Sequence, residues 1–211
     1  GFPTRVRADM TEIVLADTSG GLVMNLPDLK IGAPTYWPGD VTLSLPNDPI
    51  MFTTPQGRST LQLSEGRADL QLHPGPSLEL ESISAFAGEW TLFSGTRSVL
   101  GANDLTLTMG QIETSSNTYT FVAQAADLSP GEVPRSTLKL PNDWPLTFDT
   151  FTLIGNVTFD KPWDISALEI QRPQPRMINL TLAEAAWFDL RLLFAAELSI
   201  DEDGTPNGTI N

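Results

Sequence analysis

Ile178-Asn179-Leu180-Thr181-Leu182 and, beyond Trp187, Phe188-Asp189-Leu190-Arg191-Leu192-Leu193-Phe194-Ala195-Ala196-Glu197-Leu198-Ser199-Ile200 decide the fold class. Apolar residues recur at every second position, the spacing that puts side chains on one face of a β-strand. Phe188, Leu190, Leu192, Phe194, Ala196, Leu198 and Ile200 are therefore expected to face one apolar side, with Asp189, Arg191, Glu197 and Ser199 opposite. Leu193 and Ala195 fall on the wet side, which predicts a covering segment or partner there. On this reading Leu192→Asp costs several kcal/mol through a buried carboxylate, and Arg191→Asp costs little. Asp201-Glu202-Asp203-Gly204 reads as a hairpin turn, with Gly208-Thr209-Ile210-Asn211 opening the return strand.

The same alternation runs upstream. Val41, Leu43 and Leu45, then Leu61 and Leu63, Ala68 to Leu72, Leu78 to Ile83, Leu105 to Met109 and Tyr119 to Ala123 each carry it. Pro46-Asn47-Asp48-Pro49, Pro55-Gln56-Gly57, His73-Pro74-Gly75-Pro76, Ser129-Pro130-Gly131 and Pro141-Asn142-Asp143 separate these runs with turn residues. The expected fold is all-β: a long curved antiparallel sheet, a meander of taco-like or sandwich-like form, with one or two short helices. One helix is placed at Asp164–Ile170, capped by Asp164 and ended by Arg172-Pro173, and a second short turn near Ala123–Leu128. The chain reads as one β domain over residues 1–211, with the sparse stretch Ser94–Asp104 the place for a seam between lobes.

The chain carries 12 basic and 26 acidic residues, a net charge of −14, with the bases scattered. That field repels a phosphate backbone and argues against nucleic acid as a partner. It also disfavours electrostatic docking on anionic lipid, while leaving open an apolar groove that takes lipid tails. Cysteine is absent, which removes disulfides and thiolate chemistry, and no apolar run is long enough for a transmembrane helix.

Candidate chemistry is sparse. His73, the one imidazole, lies in a turn, and no Gly-x-Ser-x-Gly elbow accompanies it. Asp201–Gly204 lacks the ligand spacing of a calcium loop. Glu79 and Glu81 share a strand face, a pairing that 26 acids produce without purpose. No catalytic, cofactor-binding or metal-ligating residue is assigned. Trp37, Trp90, Trp144, Trp163 and Trp187 stand at strand ends or beside proline; they suit the closing of a β core and, second, the lining of an apolar groove.

From Asn156 onward the sequence resembles an uncharacterised family of Gram-negative envelope proteins, domain of unknown function 2125. Val157-Thr158-Phe159-Asp160-Lys161-Pro162-Trp163-Asp164, Arg172-Pro173-Gln174-Pro175, Leu180 to Ala185 with Trp187, and the hairpin Leu198 to Gly208 carry the match. Gly1-Phe2-Pro3-Thr4-Arg5 is similar to the family's opening motif, with Thr4 at a position more often aromatic or Asn. The resemblance implies a periplasmic location, an export signal or membrane anchor upstream of Gly1, and continuation past Asn211. It supplies no catalytic residue. The expected function is a non-enzymatic envelope protein that holds lipid or another apolar ligand on a concave sheet; the alternative is a structural or assembly subunit that binds another envelope protein through a sheet edge.

Overall fold

The computed structural model describes residues 4–17, 21–37, 39–139, 141, 143–169, 172–187 and 189–211. Their strands form one antiparallel sheet of fifteen. In chain order these are β1 (Arg5–Asp17), β2 (Leu22–Pro34), β3 (Asp40–Ser44), β4 (Ile50–Thr54), β5 (Gly57–Leu63), β6 (Arg67–Leu72), β7 (Leu80–Ala87) and β8 (Trp90–Ser94). There follow β9 (Arg97–Ala102), β10 (Asp104–Ile112), β11 (Ser115–Pro130), β12 (Phe148–Phe159), β13 (Pro175–Trp187), β14 (Leu190–Ile200) and β15 (Pro206–Ile210), with short helices α1 (Glu132–Leu138) and α2 (Ser166–Glu169). The all-β meander expected from the alternation is the fold observed.

Eight of these strands join end to end in pairs: β3 with β4, β5 with β6, β7 with β8, and β9 with β10. Pairing resumes in unchanged register across the breaks between these composite strands and on β11, whereas along β2 it shifts by two residues, from Lys30 facing Ser44 to Asn25 facing Met51. Leu63 faces Trp90 and Arg67 faces Phe86, four residues along both chains. Gly101 faces Ser129 and Asp104 faces Ala126, three along both. The sheet is thus an up-and-down meander crossed by a crease. At the crease the apolar alternation slips by one residue in strand after strand. Leu26 and Leu29, and Leu45 and Ile50, share one apolar cluster; Ala102 and Leu105, Ala125 and Leu128, and Phe148 and Phe151 share the next. Each pair has odd spacing where plain alternation requires even. Because neighbouring strands slip together, the ladder survives while the sheet bends, as a row of β-bulges would bend it. Glu12 (φ 53°), Glu65 (φ 54°) and Asp127 (φ 50°) take the left-handed conformation on this line. Leu45 N donates to Gly66 O (2.8 Å), Gly88 N to Ser64 O (2.9 Å) and Asn103 N to Ala126 O (3.0 Å), so the backbone stays bonded through the bend.

The expected helix at 164–170 begins later, at Ser166, because the first turn is taken up by the cap, Ser166 N donating to Asp164 Oδ1 at 2.9 Å; it is described to Glu169, and Ile170 lies outside the described residues. The turn expected at Ala123–Leu128 is absent; these residues continue β11, and the local irregularity there is the left-handed backbone of Asp127. Helix α1 went unread, although Glu132-Val133-Pro134 carries acid and proline in a first turn, a start signal. Leu182 does not continue the alternation of Ile178 and Leu180. A bulge at Thr181-Leu182 hands the buried face to Ala183, Ala185 and Trp187.

Candidate functional site: an open apolar face

Directly paired residues project from the same face of a sheet. One row runs Leu43, Ala68, Ala85, Leu107, Ala123, Leu153, Ala183, Phe194. A second runs Val41, Leu70, Ile83, Met109, Phe121, Gly155, Leu180, Ala196, Ile210. A third runs Ala87, Leu105, Ala125, Phe151, Ala185, Leu192. None of these positions is ionisable. The alternate rows, such as Thr106, Gln124, Thr152, Glu184 and Thr120, Asn156, Asn179, Glu197, Thr209, are largely polar, although the row Thr42, Asp69, Ser84, Thr108 turns apolar at Val122, Ile154 and Leu182.

Among the described residues, nothing forms a second layer over most of the apolar rows. A compact monomer of 22.9 kDa exposes roughly 9,600 Å², whereas this chain exposes 13357 Å². Leu107, Met109, Phe121 and Leu153 are only partly buried. Burial is concentrated on the crease, where Leu26, Ile50, Leu63, Ala102, Ala125 and Leu128 pack across the bend, so the sheet folds toward its apolar side.

Aromatic groups close both ends of the longest strand. Tyr119 on β11 is fully buried; its hydroxyl donates to Leu80 O at 3.2 Å, and burial pushes the phenol above its ordinary pKa. Phe159 stands edge-on to Tyr119 at 5.9 Å and to Trp163 at 5.6 Å. At the other end Trp187 meets Trp144 at 4.9 Å and Phe148 at 4.7 Å, with Trp187 Nε1 donating to Pro145 O at 3.1 Å. Arg135 of α1 holds the same loop through Pro145 O (3.0 Å) and Pro141 O (3.2 Å).

The five tryptophans do not form one group. Trp144 and Trp187 sit together, Trp163 lies at the Tyr119 end, Trp90 bridges the two crease clusters, and Trp37 covers Gly39 in the β2–β3 connection. Trp90 Nε1 and Trp163 Nε1 are buried without an acceptor among the described residues. His73 Nε2 lies 2.7 Å from Gln111 Oε1, and its Nδ1 is 3.8 Å from Glu81. Gln111 Nε2 donates to Ser116 O, which makes Oε1 the acceptor and His73 Nε2 the donor. Glu79 and Glu81 do not share a strand face as expected: β7 begins at Leu80, and pairing jumps from Leu80 to Ser82, leaving Glu81 in a bulge. Asp201 spends its carboxylate inside the hairpin turn, accepting from Thr205 N at 2.8 Å and Asp203 N at 3.0 Å.

On β14 the alternation is continuous but its burial is not. Leu192 is 45% exposed on the apolar side and Leu193 56% on the other, with no segment among the described residues covering either. The expected high cost of Leu192→Asp is thereby withdrawn, since its carboxylate would reach water; Phe188 lies outside the described residues.

A family model described as an uncharacterized protein conserved in bacteria (DUF2125) matches residues 1–211. The chain belongs to that family. No curated protein and no solved structure matches it. Among the described residues of this family member, no helix is long and apolar enough to cross a membrane.

Proposed function

We propose that the chain holds an extended apolar ligand of the lipid class along its open apolar face, in the bacterial envelope. The observation that carries this reading is a broad uncharged face on a sheet with no covering layer. Such a face left to water is unfavourable by about 25 cal/mol for each Å² of apolar surface, so an occupant is favoured. From Tyr119 to Leu128 the face runs nine residues along β11, about 30 Å at the rise of a strand. The hydrocarbon core of a bilayer, two acyl layers, is about as thick, so one acyl chain fits between the aromatic ends. The absence of ionisable groups suits the tail and leaves the headgroup at the rim. The envelope setting rests on the family resemblance.

Extraction of natively purified protein followed by mass spectrometry tests the reading: stoichiometric lipid supports it, and a lipid-free protein that also ignores a fluorescent fatty acid ends it. Leu107→Glu, on the apolar face, should weaken fatty-acid binding about tenfold or more, while Thr106→Glu on the polar face should not.

A second reading is a structural or assembly role through a sheet edge. Ala195 and Asn211 exchange both backbone bonds, at 3.0 and 2.9 Å, and none of the described residues pairs with β14 beyond them toward Leu190, an edge that suits a partner's strand or a further segment of the same protein. Leu190, Leu192, Leu193 and Phe194 there are exposed on both faces. Light scattering after size exclusion tests it; a monomer with no co-eluting partner counts against it.

A further inference from the structure

The connection from β12 to β13 makes an excursion that the pairing of those strands does not require. Asp160 N donates to Gln174 O at 2.9 Å and Gln174 N to Asp160 Oδ1 at 2.8 Å, closing the stem of the connection. From that stem the chain leaves β12 and reaches β7, three strands away across β11 and β10. It is fastened there by two backbone bonds, Leu80 N to Trp163 O (2.7 Å) and Ile165 N to Ser77 O (3.0 Å). The segment 161–167 is therefore a strap laid over the end of the apolar face, and Tyr119, with no exposed surface, lies at that end.

Two features make the fastened state costly. Leu78, between the two fastening points, holds φ 48°, a conformation that a branched, bulky side chain rarely adopts. Trp163 brings its indole N–H into the buried aromatic group without an acceptor. Strain at a docking point, together with a stem bonded independently of the dock, is the arrangement of a loop that opens as a unit. We propose that segment 161–167 is a lid that unfastens from β7 while the sheet stays folded, and that its opening admits a ligand to the Tyr119 end of the apolar face. The second clause rests on the lipid-holding reading; the first does not.

Hydrogen exchange tests the opening without any ligand. The N–H groups of Leu80 and Ile165 should exchange at least ~10-fold faster than those in the middle of β11. Leu78→Gly, which removes the left-handed penalty from the fastened state, should slow them. Exchange of both groups at the rate of the β11 interior overturns the lid.

The chain has no cysteine, so Ser77→Cys with Ile165→Cys offers a single reversible lock. Uptake of a fluorescent fatty acid from zwitterionic vesicles should be ~10-fold slower in the oxidised form and recover on reduction, the local opening being what the lock removes. Equal uptake in both forms overturns the ligand gate. If neither the locked, the reduced nor the unsubstituted chain takes up the probe, yet exchange at Leu80 and Ile165 is fast and the lock suppresses it, the lid stands and the lipid-holding reading fails.

Discussion

Gly155 on β12 and Gly110 on β10 lie on either side of β11 and have opposite tolerances. A methyl group at Gly155 would lie 2.4 Å from Asn179 O and 3.0 Å from Phe121 Cζ, whereas at Gly110 it meets nothing within 4 Å. Gly155→Ala should therefore destabilise by about 2–4 kcal/mol, since a backbone carbonyl must move, and Gly110→Ala should be neutral or slightly stabilising. Chemical denaturation of the two variants side by side checks this. Tyr119 supplies a pH test. Burial raises its phenol, so over the alkaline range the folded state keeps a proton that the unfolded chain has lost, and stability falls as pH climbs past about 10. Tyr119→Phe loses the bond to Leu80 O but should flatten that alkaline decline, read as melting temperature against pH.

At the scale of elements, the two sides of the sheet are treated differently. β1 has Arg5, Arg7 and Asp9 along it and a left-handed kink at Glu12, devices that keep a sheet edge from pairing with another chain. The half of β14 that no described residue pairs on its outer side has only Arg191, bonded to Glu184 at 2.7 Å, among leucines and Phe194. The crease is the other element-scale feature, and Glu65 probes it. Its left-handed backbone follows from the bend, so Glu65→Gly should stabilise by up to about 1 kcal/mol, while Glu65→Val should destabilise by at least as much. Paired melts decide; a stabilising valine would mean that the crease does not hold this residue in the left-handed region.

At the scale of the whole molecule, charge and shape combine. A net charge of −14 on a thin sheet is self-repelling, and the ion pairs Arg67–Asp69 and Arg191–Glu184 each hold an exposed arginine. Raising ionic strength from about 0.01 to 0.15 M, which shortens the screening length from about 30 to 8 Å, should stabilise by about 1 kcal/mol, a rise of ~2–4 °C in Tm. A fall in Tm would show that the exposed pairs outweigh the general repulsion. Lipid held on the apolar face would add stability independent of salt.

Alternation of apolar and polar residues, set by the two-residue repeat of a strand, determined that the chain is all-β, where its principal strands lie and that they follow one another as a meander. The rare residue order around Pro162-Trp163-Asp164 and Arg172-Pro173 determined the family. The crease was legible too, as the three-residue spacings Leu26–Leu29, Ala102–Leu105, Ala125–Leu128 and Phe148–Phe151, but each one alone reads as a strand ending. Only register matched across neighbouring strands shows that they form one line. Burial on β14 was beyond the pattern: alternation says which side a residue faces, and whether anything stands on that side depends on a layer that this fold does not supply. The strap over Tyr119 was likewise decided only in three dimensions, because its partners at Ser77 and Leu80 are more than eighty residues away and are reached through backbone atoms, which every residue type offers alike.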